Sequence, residues 1–129
     1  MKRTNKIIYW VATAWLTLGM ASTGVVQLLR VKEEALMFEH LGYPAYLLTI
    51  LGVWKVLGVI VILIPKFTLL KEWAYAGFFF TVTGALISHF AVGDEAKEFF
   101  GPALLLVLTI ISWYYRPENR KIRPFNVKD

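Results

Sequence analysis

The sequence predicts an all-α integral membrane protein, a bundle of four spanning helices with a short amphipathic surface helix between the first and second. Three observations carry this. The chain of 129 residues is 57% hydrophobic and only 18% charged, with a mean hydropathy of +0.56. A soluble domain of this size has too little interior for that much apolar surface. The charged residues fall between long apolar runs rather than within them, the pattern of a multi-pass membrane chain. One domain spans residues 1–129.

The first span covers residues 7–29. It follows the basic start Lys2, Arg3 and Lys6. The run is too long for the apolar region of a signal peptide and no small-residue cleavage pattern closes it, so it reads as a helix that stays. Tyr9 and Trp10 are placed to anchor it at the interface. Ala14, Thr17, Ala21 and Gly24 recur at helical spacing and form a ridge for close packing.

Residues 30–41 are charged and amphipathic, with Val31, Ala35, Phe38 and Leu41 on one face. This is a short helix lying on the membrane surface. Gly42 ends it, and Pro44 suits the first turn of the next helix.

The second span covers residues 44–64 and stops at Pro65. It carries Lys55 near its middle, where a cation costs about 2.5–3.5 kcal/mol on insertion scales. Something must shelter or pair that charge. Gly52 and Gly58 lie close to Lys55 around the helix, so neighbouring helices can approach it. Residues 66–72 read as a short basic turn.

The third span covers residues 73–92. Ala74, Gly77, Thr81, Gly84 or Ala85, and Ser88 form a second small-residue ridge, read as a packing face. Gly93 and Asp94 end it and open a small acidic loop. The fourth span covers residues 98–115, with a bend expected at Pro102 and an aromatic anchor in Trp113, Tyr114 and Tyr115. Residues 116–129 form a basic, irregular tail.

An even number of spans puts both ends on one side. That side carries Lys2, Arg3, Lys6, Lys66, Lys71, Arg116, Arg120, Lys121, Arg123 and Lys128. The other carries Arg30, Lys32 and Lys97 beside Glu33, Glu34, Glu39, Asp94, Glu95 and Glu98. The excess of basic residues predicts cytoplasmic termini in a bacterial cytoplasmic (inner) membrane. The same distribution accounts for the net charge of +5 without a nucleic-acid partner.

The candidate site gathers at the opposite end. Lys55 lies at mid-depth, Gln27 near the outer end of the first span, Ser88 and His89 near the outer end of the third, and Glu39 on the surface helix. Lys55 and His89 differ in depth by roughly 7–8 Å at the helical rise per residue, a gap a lysine can partly bridge. A polar pocket opening outward follows. Each residue also has a purely structural reading. Lys55 can snorkel or lock onto Glu39, His89 can be an interfacial hydrogen-bonding residue, and Gln27 can join helices. The aromatics, Phe78, Phe79 and Phe80 included, read as lipid-facing or interfacial packing.

Several chemistries lack residues to carry them. The chain has no cysteine and its only histidines are His40 and His89, which leaves no thiolate chemistry and no metal or haem ligand pattern. No phosphate-binding glycine loop or nucleophile elbow is present.

Gly42-Tyr-Pro44, running through Tyr46-Leu-Leu to Leu51-Gly-Val-Trp-Lys-Val-Leu-Gly58, resembles the DoxX-like group of small bacterial membrane proteins. Lys71-Glu-Trp-Ala-Tyr-Ala-Gly77 and Ser88-His-Phe-Ala-Val-Gly-Asp94 fit the same group, so the resemblance covers roughly residues 7 to 115. It implies a four-helix membrane fold, and relatives include subunits associated with membrane redox assemblies such as thiosulfate:quinone oxidoreductase. It supplies no catalytic motif.

Residues and resemblance together favour a small membrane subunit or binding protein for an apolar, quinone- or lipid-like molecule. Lys55 would face its head group. The alternatives are a redox-enzyme subunit in a quinone-linked membrane complex and a small anion transporter. The lipid bilayer is the expected surrounding, with a homo-oligomer or a membrane partner protein compatible with the small-residue ridges.

Overall fold

The computed structural model describes residues 2–121. Its helices are α1 (Arg3–Leu28), α2 (Lys32–Leu41), α3 (Tyr46–Leu63), α4 (Thr68–Ala91) and α5 (Phe100–Tyr114), with 3-10 turns at Ala96–Phe99 and Glu118–Arg120. No strand occurs among the described residues. Four segments are long and apolar enough to cross a membrane: α1, α3, α4, and α5 joined to the 3-10 turn before it. Most of their large apolar side chains on the outer faces are exposed, as a bilayer rather than water requires.

The bundle is built around α1, which packs along α3 and α5, while α4 packs on α5 and α3. The tightest contact is the crossing of α1 and α3 at Gly24 and Gly52. A Cβ at Gly52 would stand 2.8 Å from the Gly24 carbonyl oxygen and 3.0 Å from the Leu28 amide nitrogen. A Cβ at Gly24 would stand 3.0 Å from the Lys55 Cβ and 3.3 Å from the Gly52 carbonyl. Two backbones touch here because neither position has a side chain.

The core lies toward the chain termini. Leu16, Met20, Val59, Ile62, Tyr75, Phe78 and Val82 form one buried cluster from α1, α3 and α4. A hydroxyl network runs beside it. Ser112 shares hydrogen bonds with Thr13 at 2.6 Å and with Tyr75 at 2.7 Å, joining α5 to α1 and α4. Tyr9 is fully buried at this level, not at the interface where its aromatic ring and position near the basic start placed it. Phe78 is likewise core, whereas Phe80 is 70% exposed; successive residues on a helix face different directions.

Residues 66–72 are not a free turn. Helix α4 already starts at Thr68, and Lys66 and Phe67 take left-handed backbone angles (φ 67° and 53°) to reverse the chain after Pro65. Two such residues cost roughly 1–2 kcal/mol each. Strong hydrogen bonds at the same place offset that cost. Pro65 has no N–H to continue α3, so the last carbonyls of α3 need other donors. The Lys71 ammonium donates to the Val61 carbonyl at 2.5 Å and to that of Ile64. The Arg120 guanidinium donates to Ile62 at 2.7 Å, to Ile64 at 3.2 Å and to Leu63 at 3.3 Å. Two cations thus sit on the negative end of the α3 dipole. Arg120 also stacks over Trp10 at 4.9 Å. The expected irregular tail therefore begins with an ordered, docked turn; residues 122–129 lie outside the described residues.

The small-residue ridge of α4 packs at Ala74, against the core cluster, but not at its glycines. A Cβ at Gly77 or Gly84 would meet nothing within 4 Å, and both glycines border a cavity. Periodicity puts these residues on one face, and at Gly77 and Gly84 that face meets open space. Gly52→Ala is therefore expected to lower thermal stability in detergent by about 1–3 kcal/mol through overpacking. Gly77→Ala is expected to be neutral or to stabilise by about 0.5–1 kcal/mol through helix propensity. Equal melting temperatures for the two variants would contradict the α1–α3 contact.

Candidate functional site

At the α2 end of the bundle, residues of α1, α3, α4 and α5 surround a cavity of about 650 Å³. The surface helix α2 covers one side with Met37 and Phe38, and α5 closes another with Pro102 and Leu105. Lys55, Gln27, Ser88 and His89 all line this cavity. Glu39 does not: it is exposed on the far side of α2, and the carboxylate on the cavity wall is Glu34. The two glutamates are five residues apart and fall on different faces of one helix, so the proposed Lys55–Glu39 lock does not form.

Lys55 is 8% exposed. Its backbone is pressed against α1 by the glycine crossing, which directs the side chain along the cavity wall. The ammonium donates to Thr23 Oγ1 at 3.2 Å. Among the described residues no carboxylate lies within ion-pair distance of it. A buried ammonium has three donors to place, and here the protein takes one with a neutral hydroxyl. Gln27 stands one helical turn beyond Thr23 on the same face of α1. It is 5% exposed, and its side-chain oxygen has no hydrogen-bond partner. The cavity wall therefore carries an under-satisfied cation, and a buried amide oxygen without a partner lies one helical turn beyond the hydroxyl that the cation holds; both are costly to leave so.

The rim is fixed by two glycine turns of the same design. Helix α2 ends at Gly42 (φ 85°), with Gly42 N–H donating to the Glu39 carbonyl and Tyr43 N–H to that of Phe38. Helix α4 ends at Gly93 (φ 76°), with Gly93 N–H donating to Phe90 and Asp94 N–H to His89. Both are Schellman motifs, which need a residue without Cβ strain at the left-handed position. Each motif aims its next residue at the other helix. Tyr43 hydrogen-bonds Ser88. Asp94 accepts from His40 Nε2 at 2.7 Å and from His89 Nδ1 at 2.6 Å. The cross-linked helix ends hold α2 over the cavity.

Sequence reasoning missed Thr23, Glu34, Tyr43 and Asp94. The turn glycines were visible, and Gly42 was read as a cap. What each turn points at depends on the other helix and has no local signal. Thr23 could have been found from its spacing of four before Gln27.

An all-helical chain with four spans and a cavity opening among them defines a small multi-pass membrane protein. The family model of the DoxX-like family matches residues 11–112, and the chain belongs to that family. Neither the curated proteins nor the solved structures yield a match.

The hydrogen bonds from His89 and then His40 hold the Asp94 carboxyl below its usual value of 3.8. A carboxyl that is more acidic folded than unfolded adds stability above its unfolded value and loses it as pH falls through the folded one. Protection of the α2 amides, the observed exchange relative to the intrinsic rate at each pH, should therefore stay constant from neutral pH down to about 4 and fall below. Asp94→Asn should show the reduced protection already at neutral pH, and unchanged protection in that variant would contradict the latch.

Proposed function

We propose that the protein is a small membrane binding protein whose bundle holds an apolar molecule with a polar head, quinone- or lipid-like, with Lys55 facing the head. The observation that carries this reading is the buried Lys55 ammonium on a cavity wall, with one neutral hydroxyl as its partner. Intramembrane cations without a protein counter-charge are costly and mark functional sites. The cavity volume of about 650 Å³ falls within the range of small-molecule sites, and its wall is mostly apolar with a few convergent polar groups. Ser88 and His89 are engaged by Tyr43 and Asp94, so they shape the rim while Lys55, Thr23 and Gln27 meet the ligand.

Native mass spectrometry of the protein in mild detergent, beside Lys55→Met, tests this. A discrete small-molecule adduct on the wild type that disappears in the variant is expected. The same adduct on both proteins would overturn the role of Lys55.

The cavity lies toward the α2 end of the bundle, opposite the chain termini and the excess of basic residues. With both termini in the cytoplasm of a bacterial cell, as the basic side suggests, it would face outward from the cytoplasmic membrane. A reporter active only in the cytoplasm should work when fused to the C-terminus. A signal only from an externally active reporter would reverse the orientation.

A further inference from the structure

Lys55 stands on the wall of two spaces. A second cavity of about 400 Å³ lies between α3 and α4, and Trp54, Lys55, Gly77 and Thr81 border both. Away from that junction its wall is apolar, with Leu57 and Val61 from α3 and Leu70 and Trp73 from α4. Thr81 and Leu70 are eleven residues apart on α4, about 16 Å at the helical rise per residue, so the space has the length of a groove. Trp54, Leu57, Leu70 and Trp73 are exposed, and both helices are membrane spans. The groove therefore opens sideways to the hydrocarbon of the bilayer, where only apolar matter fills it without cost.

Charge decides what heads the groove. Among the described residues, Lys55 is the only charged side chain on its wall. No carboxylate among them comes within ion-pair distance of the ammonium. Glu34 borders the larger cavity and not the groove. A neutral acceptor would give Lys55 a hydrogen bond and leave its charge uncompensated in a low-dielectric surrounding. An anion supplies the hydrogen bond and the counter-charge together. A carboxylate also has acceptor positions to spare for the Thr81 hydroxyl at the same junction, which can turn to donate.

Resting on the binding reading above, we infer that the ligand is an acidic single-chain lipid, fatty-acid-like, whose carboxylate sits against Lys55 at the junction and whose chain lies in the α3–α4 groove. One groove holds one chain, and its open side admits that chain from the bilayer. Gly77 keeps the junction clear: a Cβ there would meet no protein atom within 4 Å, so a larger side chain would take up the space that the chain needs.

The test measures binding of tetradecanoate, hexanoate and tetradecan-1-ol to the full chain in phosphatidylcholine nanodiscs by native mass spectrometry, each probe at equal mole fraction in the bilayer. The wild type should bind tetradecanoate at least tenfold tighter than either of the others. Lys55→Met should reduce the preference for the acid over the alcohol to within threefold. Gly77→Leu should reduce the preference for the long chain to within threefold and keep the preference for the acid, which separates a filled groove from a misfolded protein. Tetradecanoate with a diazirine at its chain end should label Leu57, Val61, Leu70 or Trp73 in the wild type, and unlabelled tetradecanoate should suppress that labelling; this readout needs no variant. Labelling confined to Met37 and Phe38, or an intact chain preference in Gly77→Leu, would overturn the groove. Equal binding of tetradecan-1-ol to the wild type would overturn the acidic head. If Lys55→Met still lowers binding in those cases, the binding reading stands without this inference. If Lys55→Met binds every probe as the wild type does, both fail.

Discussion

The crossing of α1 and α3 at Gly24 and Gly52 is the contact from which the cavity follows. It brings two backbones together at the level where α3 carries Lys55, and it sets the lysine Cβ against α1. With α1 so close, Thr23 becomes the hydrogen-bond partner of the ammonium, and Gln27 lines the same cavity. The other side of α3 is left to α4, which packs Phe78 onto Gly58 and leaves open space at Gly77 and Gly84. The buried cation lies where the close α1–α3 contact gives way to that open space.

The two ends of the bundle divide stability and openness. At the end near the termini, Lys71 and Arg120 satisfy the last carbonyls of α3, and Ser112 joins three helices through hydroxyls. Glu72 accepts from Trp113 and Arg116, both at 2.9 Å, and ties α4 to the end of α5. Most polar groups there are matched within the protein, as a low-dielectric surrounding demands, the buried Tyr9 hydroxyl being the exception among the described residues. At the other end the polar groups are matched around the rim, through Tyr43 with Ser88 and Asp94 with His40 and His89, while the cavity wall keeps Lys55 and Gln27 under-satisfied. A buried cation with a single neutral partner on a cavity wall is the local departure that marks a site.

Hydrophobic run length made the spans legible, because a bilayer sets a minimum length that few other contexts require. Gly42 was legible as a helix stop, and Lys55 as a charge that needs an explanation. Helical spacing also put Gly77, Thr81, Gly84 and Ser88 on one face. It could not say whether that face meets a helix or a void, since small residues serve both. Tyr9 and Phe78 went to the core because the neighbouring helices, not their own sequence context, decide which faces are covered. Arg120 lies far from Ile62 in sequence and nothing local to either predicts their hydrogen bond. The choice of Glu34 over Glu39 turned on which side of α2 faces the bundle, and the amphipathic pattern there was carried by few residues.

The most direct measurement is an experimental density map of the protein in nanodiscs formed from its own membrane, read around the Lys55 ammonium. The account predicts non-protein density in the cavity within hydrogen-bond distance of Lys55. A collapsed cavity in which Lys55 pairs with Glu34 would contradict it and make the lysine a structural ion pair.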